Sequence, residues 1–331
     1  MQQTRVAQGM PYYERFVAAY PTVADLARAE ERDLLRLWQG LGYYARARNL
    51  HQTAKYIADE LGGQFPETYT NLLTLKGIGV YTAAAIASFA FGERVPVVDG
   101  NVYRVLARVF GIAEDITTTG AKKTFAALAR QLIEHAADPA TYNQAIMEFG
   151  AIQCTPVAPD CLLCPVQQSC NAYNTGRQAK LPVKAKKAPV RERYFQYVVF
   201  RQTSPPGQVR LAMQERTARD VWQNLYEFYL IETESVSADG PVAGNLFLTI
   251  RDLTLPTDVA GLVAQGTPGG IPVSATQLLS HQRIRAVFFV VNLPDAVLSA
   301  LPPGLVWYDA DAVEALPKPV LITNFVEKLL A

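Results

Sequence analysis

The sequence predicts a multidomain protein, an all-α first part followed by an α+β second part. Three observations carry this. At 331 residues the chain is long enough for two domains, each burying its own core. Up to residue 193 the apolar residues recur at helical spacing, with no convincing alternating run. From Tyr194 the pattern changes to period two. With 50% hydrophobic and 18% charged residues, the composition is that of an ordinary globular chain.

The elements follow in order. Val6, Met10, Tyr13, Phe16 and Val17 place a helix at the very start, without a cap or polar lead-in. Thr22 is placed to cap a helix over 23–30. Helices are expected over 31–39 and 44–61, set apart by Gly40-Leu41-Gly42 and followed by Gly62-Gly63. Leu75-Lys76-Gly77-Ile78-Gly79-Val80 then reads as a tight turn between two helices, the second being the apolar run Tyr81–Phe91, expected to be buried. Gly77 and Gly79 remove Cβ atoms where the chain turns sharply or nears another backbone. Helices over 100–110, 118–136 and 140–150 complete this part. Lys180–Arg191 is basic, proline-punctuated and without period, which makes it a linker. Beyond it, strands are expected over Tyr194–Arg201, Val209–Gln214, Glu227–Glu234, Gly244–Ile250 and Arg283–Asn292, with helices near 257–264 and 320–330. There are no internal repeats.

A net charge of +1 hides an asymmetry. The first 193 residues carry 22 Lys/Arg against 17 Asp/Glu, and the remainder 9 against 13. Residues 151–193 alone hold 7 against 2, a field suited to a polyanion, although an isolated basic run is more often a solvated linker. No stretch reaches the roughly 18 uninterrupted apolar residues of a membrane span. No signal peptide is expected, and four cysteines confined to 154–170 favour a reducing compartment.

Several residues carry chemistry. A helix opening on the Gly77–Gly79 turn leaves backbone N–H groups outward, an anion site fit for phosphate. Asp99, in Val97-Val98-Asp99-Gly100-Asn101-Val102, is placed to cap the helix over 100–110. Tyr43, Tyr44, Arg46 and Arg48 combine aromatics with cations, either to stack bases and hold phosphates or to pack a helix start. Cys154-x6-Cys161-x2-Cys164-x5-Cys170 forms a metal or cluster site, and spacing alone does not separate zinc from a [4Fe–4S] cluster.

Taken together, these motifs resemble the MutY family of adenine DNA glycosylases over nearly the whole chain. Gln2-Gln3-Thr4, the Gly40–Leu50 stretch, Gly77-Ile78-Gly79, Asp99-Gly100-Asn101-Val102 and the four cysteines match. Val221–Phe228 and Leu279-Ser280-His281 match a Nudix-like lesion-recognition domain. The resemblance implies a helix-hairpin-helix glycosylase core over 1–136, an iron–sulfur region over 137–179, the linker over 180–193 and the Nudix-like domain over 194–331. It implies excision of a flipped adenine from A:8-oxoguanine or A:G pairs in double-stranded DNA. Asp99 would stabilise the oxocarbenium-like sugar, with Asn101 supporting it and Tyr81 in the base pocket. Gln2, Gln3 and Thr4 would contact the lesion pair, Tyr43 would wedge between bases, and Ser280 and His281 would read the oxidised guanine. Arg46, Gly77 and Gly79 would bind DNA, and Cys154, Cys161, Cys164 and Cys170 would hold a [4Fe–4S] cluster whose Arg/Lys surroundings meet the backbone. A monomer in a bacterial cytoplasm, associated with the nucleoid and not with membrane, is implied too.

Tyr81 separates this chain from endonuclease III-like lyases, which resemble it but carry a Schiff-base lysine at that position; tyrosine cannot do that chemistry. The family's general-acid glutamate falls a few residues before Gln2, upstream of Met1. The expectation is an N-terminally truncated record of a longer glycosylase; the alternative is a catalytically impaired module that binds the lesion without cleaving.

Overall fold

The structure, a computed structural model, describes residues 4, 6–185, 189–204, 207–234, 250, 253–294 and 301–331. Gln2, Gln3 and all but the last residue of the strand expected over 244–250 lie outside them. Its contacts form two units: Met1–His51 with Ala188–Ala331, and Gln52–Lys187. The sequence-based boundaries instead stand at 136, 179 and 193. Among the described residues no helix is long and apolar enough to cross a membrane.

The N-terminal segment of the first unit is helical: α1 (Val6–Ala19), α2 (Val23–Arg28), α3 (Glu31–Leu37) and the start of α4 (Tyr44–Glu60). Thr22 caps α2 as expected, in a reciprocal box with Asp25. Leu34 and Leu35 are fully buried, and Phe16 packs edge-on to Trp38 at 5.8 Å.

The Gln52–Lys187 unit is all-α. It holds α5 (Tyr69–Leu72), α6 (Val80–Phe91), α7 (Gly100–Phe110), α8 (Thr119–Glu134), α9 (Pro139–Glu148) and α10 (Asn171–Asn174). One π-helical turn, Phe149–Gln153, leads from α9 into the cysteine loop. Leu106 and Ala107 of α7, Phe125 of α8 and Ala172 form a shared core. Burial of α6 is narrower than the apolar run suggested: Ala83, Ala84, Ala87 and Ser88 are inside, while Val80, Tyr81, Phe89 and Phe91 are exposed. Small residues let that face approach its neighbours closely and leave the large ones outward.

The rest of the first unit is α+β. Its elements are β1 (Arg191–Ser204), β2 (Gln208–Glu215), β3 (Tyr226–Glu227), β4 (Tyr229–Thr233), α11 (Thr257–Gln265), β5 (Thr267–Pro268), β6 (Val273–Leu278), β7 (Gln282–Asn292), β8 (Val306–Asp309), α12 (Ala310–Ala315) and α13 (Val320–Leu330). β1 is central. It runs parallel to β7 over eleven residue pairs, Arg191↔Gln282 to Arg201↔Asn292. Its other edge pairs β4 first and then β2. Both strands are buried on both faces over much of this length, as parallel pairing requires. The apolar face of α13 covers the sheet, with Phe325 stacked on Phe288 at 4.0 Å. β6 escaped the sequence reading because its residues alternate only weakly in polarity; among the described residues it pairs with β7 alone.

A buried lysine holds the corner between α12 and α13. Lys318 Nζ donates to the carbonyl oxygens of Val313, Glu314 and Leu316, at 3.2 and 2.8 Å for the last two. Its backbone N–H donates to Gln39, whose amide reaches Thr323. Burial lowers the Lys318 pKa to about 8 from 10.5. Between those two values the unfolded chain binds more protons than the folded one, so this residue makes stability rise with pH across that window. We expect the Lys318→Met variant to lose that rise when stability is measured by chemical denaturation from pH 8 to 10.5.

Candidate functional site

The predicted site residues fall into two clusters, one in each unit. In the Gln52–Lys187 unit, Gly77 takes a left-handed φ of 77°, which glycine alone adopts without strain. Gly79 differs: it is the N-cap of α6 with φ −92° and ψ 178°, a conformation open to any residue, and a Cβ there would meet no atom within 4 Å. Gly79 offers no side chain to cap the start of α6. Thr53 fixes the turn from behind, donating to Lys76 O at 2.6 Å.

Asp99 caps α7. Its Oδ1 accepts the N–H groups of Asn101 and Val102, both at 2.8 Å, and its Oδ2 accepts the Asn101 side-chain amide at 2.9 Å. The Tyr81 hydroxyl donates to Met147 Sδ at 4.0 Å. Burial, and then the charge of Asp99, raise the Tyr81 phenol above its ordinary value.

Three residues that sequence reasoning missed hold this geometry. Asn143, fully buried on α9, accepts Val97 N–H at 3.0 Å and donates to Val95 O and Ser88 Oγ, each at 2.9 Å, fixing the approach to Asp99. Arg104 donates to Asn101 Oδ1 at 2.8 Å, to Gly150 O and to Cys154 O at 2.7 Å. Arg108 donates to Thr155 O at 2.7 Å, Leu181 O at 3.1 Å and Cys154 Sγ at 3.3 Å. Two arginines four apart on an otherwise apolar helix were the available signal. Both are buried, their guanidiniums engaged by carbonyl oxygens and, for Arg108, by Cys154 Sγ as well.

The four cysteines are free thiols in one loop. Burial, and then the charges of Cys154, Cys164 and Cys170, raise the Cys161 thiol above its ordinary value. Among the described residues no three His, Cys, Asp or Glu side chains converge on a single metal ion. The donor set, four thiols without histidine or carboxylate, fits a tetrathiolate zinc or an iron–sulfur cluster.

The second cluster lies in the other unit. Tyr43 is 47% exposed with φ 49°, strained for a non-glycine residue, while Tyr44 is buried and its phenol is pushed up to about 12 by burial. Tyr44 thus packs the helix start, while Tyr43 stands outside the core. Arg46 stacks over Tyr43 at 5.2 Å and Trp38 at 5.5 Å and donates to Thr4 Oγ1 at 3.2 Å. Ser280 and His281 sit in the short β6–β7 turn, and the Ser280 and Tyr43 hydroxyls hydrogen-bond. Between them opens a cleft of about 430 Å³, walled also by Arg48, Asp220 and Trp222.

Residues 1–131 match the HhH-GPD superfamily base excision DNA repair protein family. Over 234 residues the chain is 36% identical to the adenine DNA glycosylase of Buchnera aphidicola (subsp. Schizaphis graminum), covering 71% of this chain and 66% of that one. The chain belongs to the MutY family of adenine DNA glycosylases. The Mus musculus member is 33% identical over 346 residues (93% of this chain, 65% of that one), and the Homo sapiens member 46% over 182 (55% and 33%). The alignments thus span less than two thirds of each of these MutY relatives' own length.

Two outcomes follow for this MutY-family site. Asn143→Leu strands the Val97 N–H and Val95 O and should cost about 3–5 kcal/mol in chemical denaturation. In Asp99→Asn the Tyr81 phenol should titrate at lower pH, read as the ultraviolet difference against the same chain carrying Tyr81→Phe; burial keeps it above its ordinary value.

Proposed function

We propose that this chain is a monofunctional adenine DNA glycosylase of base excision repair, hydrolysing the N-glycosidic bond of adenine opposite 8-oxoguanine or guanine in duplex DNA. The observation that carries the reading is the Asp99 carboxylate, locked by two backbone N–H groups and the Asn101 amide and held near the Tyr81 phenol. A fixed, half-exposed carboxylate is fit to stabilise the positive charge that grows on the sugar as the base leaves. Because the carboxylate is already oriented, little reorganisation is needed at that moment. Tyr81, in the base pocket, offers no amine for a Schiff base, so water completes the reaction.

The start of α6, entered through the Gly77–Gly79 turn, suits a phosphate of the flipped strand. Cys154, Cys161, Cys164 and Cys170 would hold a [4Fe–4S] cluster, cross-linking the loop that Arg104 and Arg108 tie to α7. In the other unit, exposed Tyr43 is the wedge, Gln2, Gln3 and Thr4 contact the pair, and Ser280 and His281 read the oxidised base from the rim of the cleft. Arg46, by its stacking, serves DNA binding through Tyr43. The protein works as a monomer on nucleoid DNA in the bacterial cytoplasm, and its C-terminal sheet acts as a Nudix-like lesion reader.

Single-turnover adenine release from a duplex carrying adenine opposite 8-oxoguanine tests this. We expect release by the holo-protein and a loss of at least about 10²-fold in Asp99→Asn. Borohydride should trap no covalent DNA adduct; an adduct would point to a lyase. Tight lesion binding without release by the unaltered chain would point instead to a recognition module.

A further inference from the structure

One wall of the second cleft is built on an ion cluster. The Arg193 guanidinium, 6% exposed, donates to both Asp220 oxygens, at 2.9 and 2.7 Å, and to both Glu232 oxygens at 2.6 Å. Arg216 donates to Asp220, to Glu227 at 2.9 Å and to Val221 O at 2.9 Å. Burial opposes ionisation of Asp220, but hydrogen bonds from Arg193, the Val221 N–H and Arg216 outweigh it and hold its carboxyl well below the usual range.

This cluster sets a strained turn. Trp222 and Asn224 both take φ of 62°, a left-handed conformation that side chains resist and that persists only when its surroundings over-determine it. Trp222 is buried against Phe195, whose ring lies under both guanidiniums, at 4.8 and 5.5 Å. From the helical side of the same unit, Arg48 donates to Gln223 O at 2.8 Å and Glu31 accepts from the Asn224 amide. Asp220 thus has an ion pair on one side and the cleft on the other. A lone carboxylate in a wall facing nucleic acid would repel it; two guanidiniums neutralise this one.

We propose that Asp220 is a positioning residue for recognition of the base opposite adenine: clamped between Arg193 and Arg216, it fixes the turn over 220–225 and so the distance from the Trp222 wall to Tyr43, Ser280 and His281. This rests on the reading that the cleft discriminates 8-oxoguanine from guanine. Chemically, the ligand is a purine nucleotide within duplex DNA, and Asp220 acts on it without contact.

The test is the ratio of single-turnover rates for adenine opposite 8-oxoguanine and opposite guanine, at subsaturating protein. A ratio from one preparation cancels the inactive fraction, so general destabilisation does not move it. Asp220→Asn should lower the ratio about tenfold, mainly through the 8-oxoguanine duplex. Arg48→Met, which releases the same turn from the α4 side, should lower it in the same direction and decides the matter where Asp220→Asn does not fold. Glu192→Gln, which breaks an exposed ion pair with Arg283 and Arg285, should leave the ratio unchanged. An unchanged ratio in a folded Asp220→Asn, or in Arg48→Met alone where the first variant fails, overturns the inference and leaves the proposed function standing. An unaltered chain with no preference between the duplexes overturns the inference together with the lesion-reading role of the cleft, whereas one that releases adenine from neither overturns the proposed function.

Discussion

Buried guanidinium groups are the constraint on which both clusters depend. A buried charge is tolerable only when its donors are all engaged, and Arg104 and Arg108 meet that condition with carbonyls from segments far apart in sequence. Gly150 is part of the same arrangement, since a Cβ there would come within 2.8 Å of Asn101 Cβ. The π-helical turn at Phe149–Gln153 delivers the Gly150 and Cys154 carbonyls to one guanidinium. The Asp99 cap, the Asn101 amide and the cysteine loop are therefore one connected piece of structure.

The first unit uses the opposite version of that device. There the guanidiniums meet carboxylates instead of carbonyls, with Arg193 and Arg216 sharing Asp220 and Tyr197 completing Glu227 at 3.1 Å. Burial raises the Glu227 carboxyl, against the pull of Arg216. Carbonyl partners make a centre insensitive to pH; carboxylate partners make one whose strength depends on ionisation.

Much of this was legible in the sequence, for reasons that differ by residue. Helix periodicity located α2, α4, α7, α9 and α13 to within a few residues, and α13 shows why, burying the stripe Leu321, Ile322, Phe325 and Val326. Asp99 and Thr22 were readable as caps because capping is local chemistry. The Cys spacing was legible for the same reason. What escaped was long-range. Asn143 carries no local signature, and its partners lie about fifty residues away. The Trp222 turn looks like ordinary loop until the ion cluster around it is assembled. β1 and β7 were each legible as strands, but not their parallel pairing, which no hairpin announces.

That pairing has a consequence for how the chain is made. Residues 191–201 meet residues 282–292, so the central sheet cannot close until the ribosome has delivered nearly the whole polypeptide. The Gln52–Lys187 unit is contiguous and can settle as it emerges. Residues 1–51, translated first, belong with 188–331 and must wait for them. Those of their side chains that meet 188–331, such as Tyr44 against Lys318, stay unpartnered through most of synthesis, an interval in which chaperones and proteases meet the nascent protein.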